Sequence, residues 1–206
     1  MEVLAPQVLG RKFLPWEPLT IMPIGDIQYT GPKGPADMDK LQRHVEWGLK
    51  QGAVFVGMGD YIDFASPSNR ARLKAAGMYD TAEQVVDDAA TALEEGVEQV
   101  LAPTKGRWLG LVEGHHYYPH LDGTTTGQRL ARFLETQYLG DAGFLRLTFR
   151  DGSGAGVNLK VFVHHGHSGA TTPGGVLTRL QRFAAHVRAQ LILTGHVHQV
   201  IAYPFD

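Results

Sequence analysis

The stretch Leu191-Ile192-Leu193-Thr194-Gly195-His196-Val197-His198 decides how the rest of the chain is read. Its apolar half reads as a strand that needs cover on both faces, which puts it in the middle of a sheet. The glycine turn after it delivers two histidines, one residue apart, to the sheet's carboxyl edge. Open α/β sheets keep their chemistry at that edge. Working outward, the same design recurs. Residues 19–24 are an apolar run ending in Gly25-Asp26-Ile27-Gln28, and 53–58 end in Gly59-Asp60-Tyr61-Ile62-Asp63. Residues 108–112 end in Glu113-Gly114-His115-His116, and 157–163 end in His164-His165-Gly166-His167. Glycine beside the polar cargo lets the backbone turn sharply and leaves room for ligands to converge. Seven of the ten histidines fall in three of these turns, whereas histidines kept for packing or solubility would be scattered.

Helices are expected between the strands, giving an α/β chain. Asp37 caps a helix running to Lys50 with Leu41, Val45 and Leu49 on one face. Thr81 and Gln84 read as a capping box for a long helix closed by Pro103, with Val85, Ala89, Leu93, Val97 and Val100 as its buried stripe. Its acidic run, Asp87, Asp88, Glu94 and Glu95, reads as a solvated face. Thr126 caps a helix through about Gln137 with Leu130, Phe133 and Leu134 inward. Residues 144–149 and 157–163 flank Asp151-Gly152-Ser153-Gly154-Ala155-Gly156, a hairpin signal that adds an antiparallel pair. Thr172 as cap and Pro173 at the first helical position start a last helix, with Val176, Leu177, Leu180, Ala184 and Val187 facing the core. Residues 199–203 read as one final strand.

The 206 residues suit a single domain, with a helical and loop flap anticipated over 64–104, polar and turn-rich from Phe64 to Asp80. With 19 Lys and Arg against 21 Asp and Glu, the formal net charge of −2 gives no overall basic field for long nucleic-acid tracts. The absence of cysteine removes disulfides, thiolate metal sites and a cysteine nucleophile together. Metal ligands must then be imidazole, carboxylate or amide, a donor set that suits Zn, Mn, Fe, Ni or Co rather than Ca or Mg. No run approaches the ~20 apolar residues of a membrane span, and the proline-interrupted N-terminus is unlike a signal peptide. The chain reads as a soluble, cytoplasmic protein with no membrane partner and an oligomeric state the sequence does not specify.

In order, Asp26-x-Gln28, GDYID (59–63), GHH (114–116), HHGH (164–167) and GHVH (195–198) resemble the calcineurin-like metallophosphoesterase superfamily. That pattern is D-x-H, GD-x-x-D, GNH-D/E, H and GH-x-H. The resemblance spans Asp26 to His198 and implies a four-layer α/β/β/α sandwich of two mixed sheets flanked by helices. It implies a dinuclear centre of divalent or trivalent transition-metal ions. Asp26, Gln28 and His198 would hold the first ion, Asp60 would bridge, and His115, His165 and His196 would hold the second. His116 matches the family's catalytic histidine, and Asp63 the aspartate that pairs with it. Gln28 stands where the family has His, which weakens the first site or tilts it toward Mn, the ion favoured here. His115 stands where the family has Asn.

The activity so implied is hydrolysis of a phosphodiester or small phosphate ester, with a metal-bridging hydroxide as nucleophile and His116 as general acid. Phe64-Ala65 replaces the Arg-Gly that follows in the protein-phosphatase branch, which disfavours a phosphoprotein substrate. His167, Arg70 and Arg72 are candidate substrate contacts, Arg70 and Arg72 from the flap. His164 reads as a core histidine or one supporting a ligand, and His44, His120 and His186 as structural. Two rivals stand beside this reading. One is a nuclease on DNA or RNA, disfavoured by the missing basic stripe. The other is a catalytically weak metal-binding or scaffold module on the same fold. Family members commonly continue with strands after GH-x-H, so the chain reads as a compact version or one lacking a C-terminal part.

Overall fold

Strand and helix alternate through the first two thirds of the chain because apolar runs of four to six residues are separated by amphipathic stretches. In the computed structural model, residues 8–64, 72, 75, 77, 79–167, 172–198 and 200–204 are described. The strands are β1 (Val8–Pro15), β2 (Ile21–Ile24), β3 (Val54–Gly57), β4 (Trp108–Leu111), β5 (Ala142–Arg150), β6 (Gly156–His164) and β7 (Leu191–Thr194). The helices among the described residues are α1 (Met38–Lys50), α2 (Asp80–Leu101), α3 (Thr126–Phe133) and α4 (Pro173–His186).

Among the described residues two sheets form, and they differ in kind. One has the order β2-β3-β4 and is entirely parallel; the other, β1-β5-β6-β7, is mixed. Two mixed sheets were anticipated. Three short strands joined by helical crossovers have no hairpin to reverse direction, so the first sheet stays parallel. In the second, β5 and β6 are antiparallel while β1 and β7 run parallel to their neighbours. The Asp151–Gly156 hairpin therefore supplies that sheet's antiparallel pair, as its turn residues foretell.

Val54, Val56, Met58, Leu109 and Val112 from the first sheet pack with Leu145, Leu147, Val161 and Val163 from the second. On its other face the first sheet contributes Ile24, Phe55, Trp108 and Leu111 to a core closed by Val45 of α1, Val97 and Leu101 of α2, and Leu130 and Ala131 of α3. Phe183 of α4 lies against Phe162 and His164 on the outer face of β6. Truncating a fully buried side chain of the inter-sheet core, such as Leu145, costs about 2–5 kcal/mol.

β7 is not central. Among the described residues it pairs only with β6, all four of its residues are half-buried, and the strands buried at every residue are β3 and β4. Its leucines are covered on the sheet-packing side alone, and an apolar run reads alike in either setting. The described residues 200–204 are not in a strand, and Val200 is fully exposed; Gln199 lies outside the described residues. β1, unanticipated among the N-terminal prolines, lies at the other edge of that sheet. Pro23 sits in β2, an edge strand where a missing N–H is tolerated.

Helix boundaries mostly follow the capping chemistry. Asp37 accepts from Lys40 N–H and Thr172 from Gly175 N–H, as read. The cap of α3 is Thr125, one residue earlier than expected, because Gln128 completes its capping box; the helix stops at Phe133. Thr81 lies inside α2, which begins after Tyr79 without a side-chain cap, and Gln84 bonds Asp88 instead. The buried stripe of α2 is shifted by one residue: Ala90, Val97 and Leu101 are buried, Leu93 partly so, and Val85 is exposed. That shift carries Asp87 and Glu94 inward, so the acidic run is only partly a solvated face. Of the span 64–104, Phe64 packs edge-on to Tyr118, while Arg70 and Lys74 lie outside the described residues and Arg72 is exposed.

Candidate metal centre

The carboxyl ends of β2, β3, β4, β6 and β7 converge, and the backbone there is unusual. Among the described residues six that are not glycine have positive φ: Asp26, Gln28, Asp60, Glu135, His196 and His198. Five of them are strand-end residues singled out above. Such a conformation is strained for a residue with a Cβ and persists only where surrounding structure over-determines it. Here Asp26 N–H and Gln28 N–H donate to the carbonyls of Gly59 and Asp60, locking the ends of β2 and β3 together. Gly114 is required by space, since a Cβ there would overlap the Asp60 carboxylate.

Asp60, 2% exposed, is the hub. Its Oδ1 accepts from the N–H groups of His115 (2.5 Å) and His116 (2.9 Å), fixing the turn after β4. Its Oδ2 lies 3.1 Å from His165 Nε2, yet the two are not aligned as a hydrogen bond. His165 Nδ1 donates to the Met58 carbonyl at 2.7 Å, so the ring's other nitrogen is aimed at the cluster, as metal-ligating histidines are oriented. His115 and His196 bring their Nδ1 atoms to 3.3 Å of each other, and both rings stand edge-on to His165. Asp60, His115, His165 and His196 each place one ligand atom within 4.8 Å of all the others.

Beside this group, Asp26 Oδ2 accepts from His196 N–H at 2.9 Å and its Oδ1 lies 3.6 Å from His198 Nε2. Gln28 is half-buried in the same turn. His116 Nδ1 and Asp63 Oδ1 are 2.7 Å apart on a more open flank. The His167 ring is 5.8 Å from that of His115, at the rim.

Among the described residues three buried side-chain atoms lack any hydrogen-bond partner: Asp26 Oδ1, Asp60 Oδ2 and His165 Nε2. Buried polar atoms are almost always satisfied, and leaving one bare costs about 1–3 kcal/mol. All three are metal-donor atoms in one place, so the residues present fit a cation. The cluster can bind a metal ion. The electrostatics differ from one member to the next. Burial raises the Asp26 carboxyl, partly offset by the His196 N–H. Burial opposes ionisation of Asp60, but His165 beside it and the His116 N–H together outweigh that and hold the carboxyl at about 2. Burial, then the neighbouring His165 and His196, push the His115 ring down. For His165 burial is outweighed by Asp60, and its pKa is raised.

Two other histidines lie outside the cluster. His164 turns away, half-buried and stacked on Phe162 with its Nδ1 accepting from Gly166 N–H. His120 is buried and bonds Asp87 through Nδ1 (3.1 Å) and Glu94 through Nε2 (2.7 Å), tying the loop after β4 to α2. Glu113 escaped the sequence reading. It is 3% exposed and accepts from Thr125 Oγ1, Tyr138 Oη and Gly127 N–H, anchoring α3 to the strand end that carries His115. Its one signal was an acid closing an otherwise apolar run. No protein-family model, curated protein or solved structure matches the chain.

Proposed function

We propose that this protein is a metal-dependent phosphoesterase on a four-layer metallophosphoesterase-like sandwich, acting on phosphodiesters or small phosphate esters at a dinuclear centre. The observation that carries the reading is the trio of unpartnered donor atoms on Asp26, Asp60 and His165, flanked by the His116–Asp63 pair. Asp60 with His115, His165 and His196 would hold one cation, and Asp26, Gln28 and His198 the other, Asp60 serving both. When bound, such cations neutralise charge on phosphoryl oxygens and lower the pKa of water so that it is a nucleophile near neutral pH.

The chain's own groups supply the rest. Asp63 orients the His116 ring through Nδ1, leaving Nε2 to give a proton to the departing alkoxide. Asp60 holds the His115 and His116 backbone through Oδ1, so ligand and proton donor are fixed by one carboxylate. The buried flank formed by Asp60 and His165 keeps bulk water from the donor atoms. Gln28, a neutral oxygen donor, makes the first site the weaker and favours Mn there.

Hydrolysis of bis(p-nitrophenyl) phosphate against p-nitrophenyl phosphate with added Mn²⁺ tests the reading. Turnover that is faster on the diester is expected, and silence on both substrates in protein that has taken up metal overturns it.

A further inference from the structure

The chain's charge is unevenly spread. From Gly152 to Phe205 there is no Asp or Glu, while Lys160, Arg179, Arg182 and Arg188 and six histidines fall in that span. The structure gathers part of this charge in one place. Arg179, Arg182, Phe183 and His186 recur at three- and four-residue spacing along α4, which puts them on one face. With His167 they line an open cleft of about 580 Å³. Arg179 Nη1 donates to the His167 carbonyl, which ties the cleft wall to the turn after β6. Among the described residues none that lines the cleft is acidic, and no carboxylate pairs with Arg179 or Arg182. Arg182 and His186 are exposed to the cleft, and Phe183 is half-buried.

Position gives this cleft its meaning. His167 belongs to both places: its ring is 5.8 Å from that of His115, and it forms part of the cleft wall. A substrate whose reacting phosphate lies at the metal cluster would extend past His167 toward two guanidinium groups. A planar guanidinium matches phosphate oxygens two at a time, which lysine cannot do.

We propose that the cleft between His167 and α4 binds a second phosphate, so that the substrate is a phosphate ester carrying another phosphate beyond the one that reacts. This rests on the metal-centre reading only for where the reacting phosphate lies. Arg182 is the main contact, Arg179 sets the wall and also reaches the anion, and Phe183 floors the cleft.

Two substrates that differ by one phosphate test it: the p-nitrophenyl ester of thymidine 5′-phosphate, and the same ester bearing a 3′-phosphate. With Mn²⁺-loaded protein, the 3′-phosphorylated ester is expected to have a KM about tenfold lower, and Arg182→Ala to remove most of that difference. Arg43→Ala, an exposed charge on α1, controls for overall charge. Calorimetry with thymidine 3′,5′-bisphosphate and EDTA-treated protein reads the cleft alone, and Arg182→Ala should weaken binding about tenfold or more, the scale of a lost charge-assisted hydrogen bond. Equal KM values for the two esters, with hydrolysis intact, overturn the inference and leave the phosphoesterase reading standing. If neither ester is hydrolysed, that reading fails and calorimetry decides the cleft: Arg182-dependent binding supports it, and binding that is absent or unchanged in Arg182→Ala overturns it.

Discussion

Two histidines in this protein sit buried against carboxylates, and they have opposite hydrogen-bond accounts. His120 uses both ring nitrogens, one on Asp87 and one on Glu94, and Arg129 lies 3.9 Å from Glu94. His165 uses one nitrogen on a backbone carbonyl, while the other faces an Asp60 oxygen without bonding it. Around His120 the backbone is ordinary; around His165 it is left-handed at Asp26, Asp60, His196 and His198. A buried cluster that satisfies itself is a clamp. One that leaves donor atoms bare and holds strained residues in place is built for something that is not protein. Burial of charge alone does not separate the two.

The contrast is sharpest in what each cluster loses on mutation. Asp60→Asn should abolish metal uptake and slow turnover by more than about 10³-fold, because the hub carboxylate would no longer serve two cations; metal analysis and kinetics read both. Uptake of two equivalents by this variant would move the centre elsewhere. His116→Ala should leave metal content intact and cost about 10²–10⁴ in kcat, the range for a lost general acid. If metal is lost instead, His116 is a ligand and the proton donor has been misassigned.

In the clamp the effect should be on stability. His120→Ala leaves Asp87 and Glu94 buried without their partner and should cost about 3–5 kcal/mol in urea unfolding, with no change in metal stoichiometry in the folded protein. A cost below ~1 kcal/mol would remove the distinction between the clusters.

The smallest effect concerns Glu98 on α2, one turn beyond Glu94. Burial, then Glu94 and Glu95, raise its carboxyl above the usual range. A carboxyl raised on folding adds stability below its unfolded pKa, and that contribution is lost as pH rises through the folded pKa. Glu98→Gln should therefore match the parent protein in acid and exceed it by under ~1 kcal/mol above the raised pKa. Equal unfolding midpoints at pH 4 and pH 8 would contradict this.

The sequence carried the site further than the fold. Asp60, His115, His165 and His196 were legible because each follows an apolar run and a turn, and strand ends are brought together by any α/β sheet. What the sequence could not carry was environment. An apolar run such as Leu191–Leu193 reads the same at the edge of a sheet as at its centre, since one covered face is enough to demand leucine. On α2 the stripe was misread by one residue because alanine and valine crowd both neighbouring faces, and the polar partner that draws Asp87 and Glu94 inward, His120, lies far along the chain. Glu113 was hidden for the same reason: its partners Thr125, Gly127 and Tyr138 are supplied by later elements.

Anomalous diffraction from crystals grown with Mn²⁺ tests the central claim most directly. The account predicts a peak within about 2.0–2.3 Å of Asp60 Oδ2 and His165 Nε2, with a second on the Asp26 side of the same carboxylate. No peak at Asp60, or one lodged at His120 instead, would contradict it.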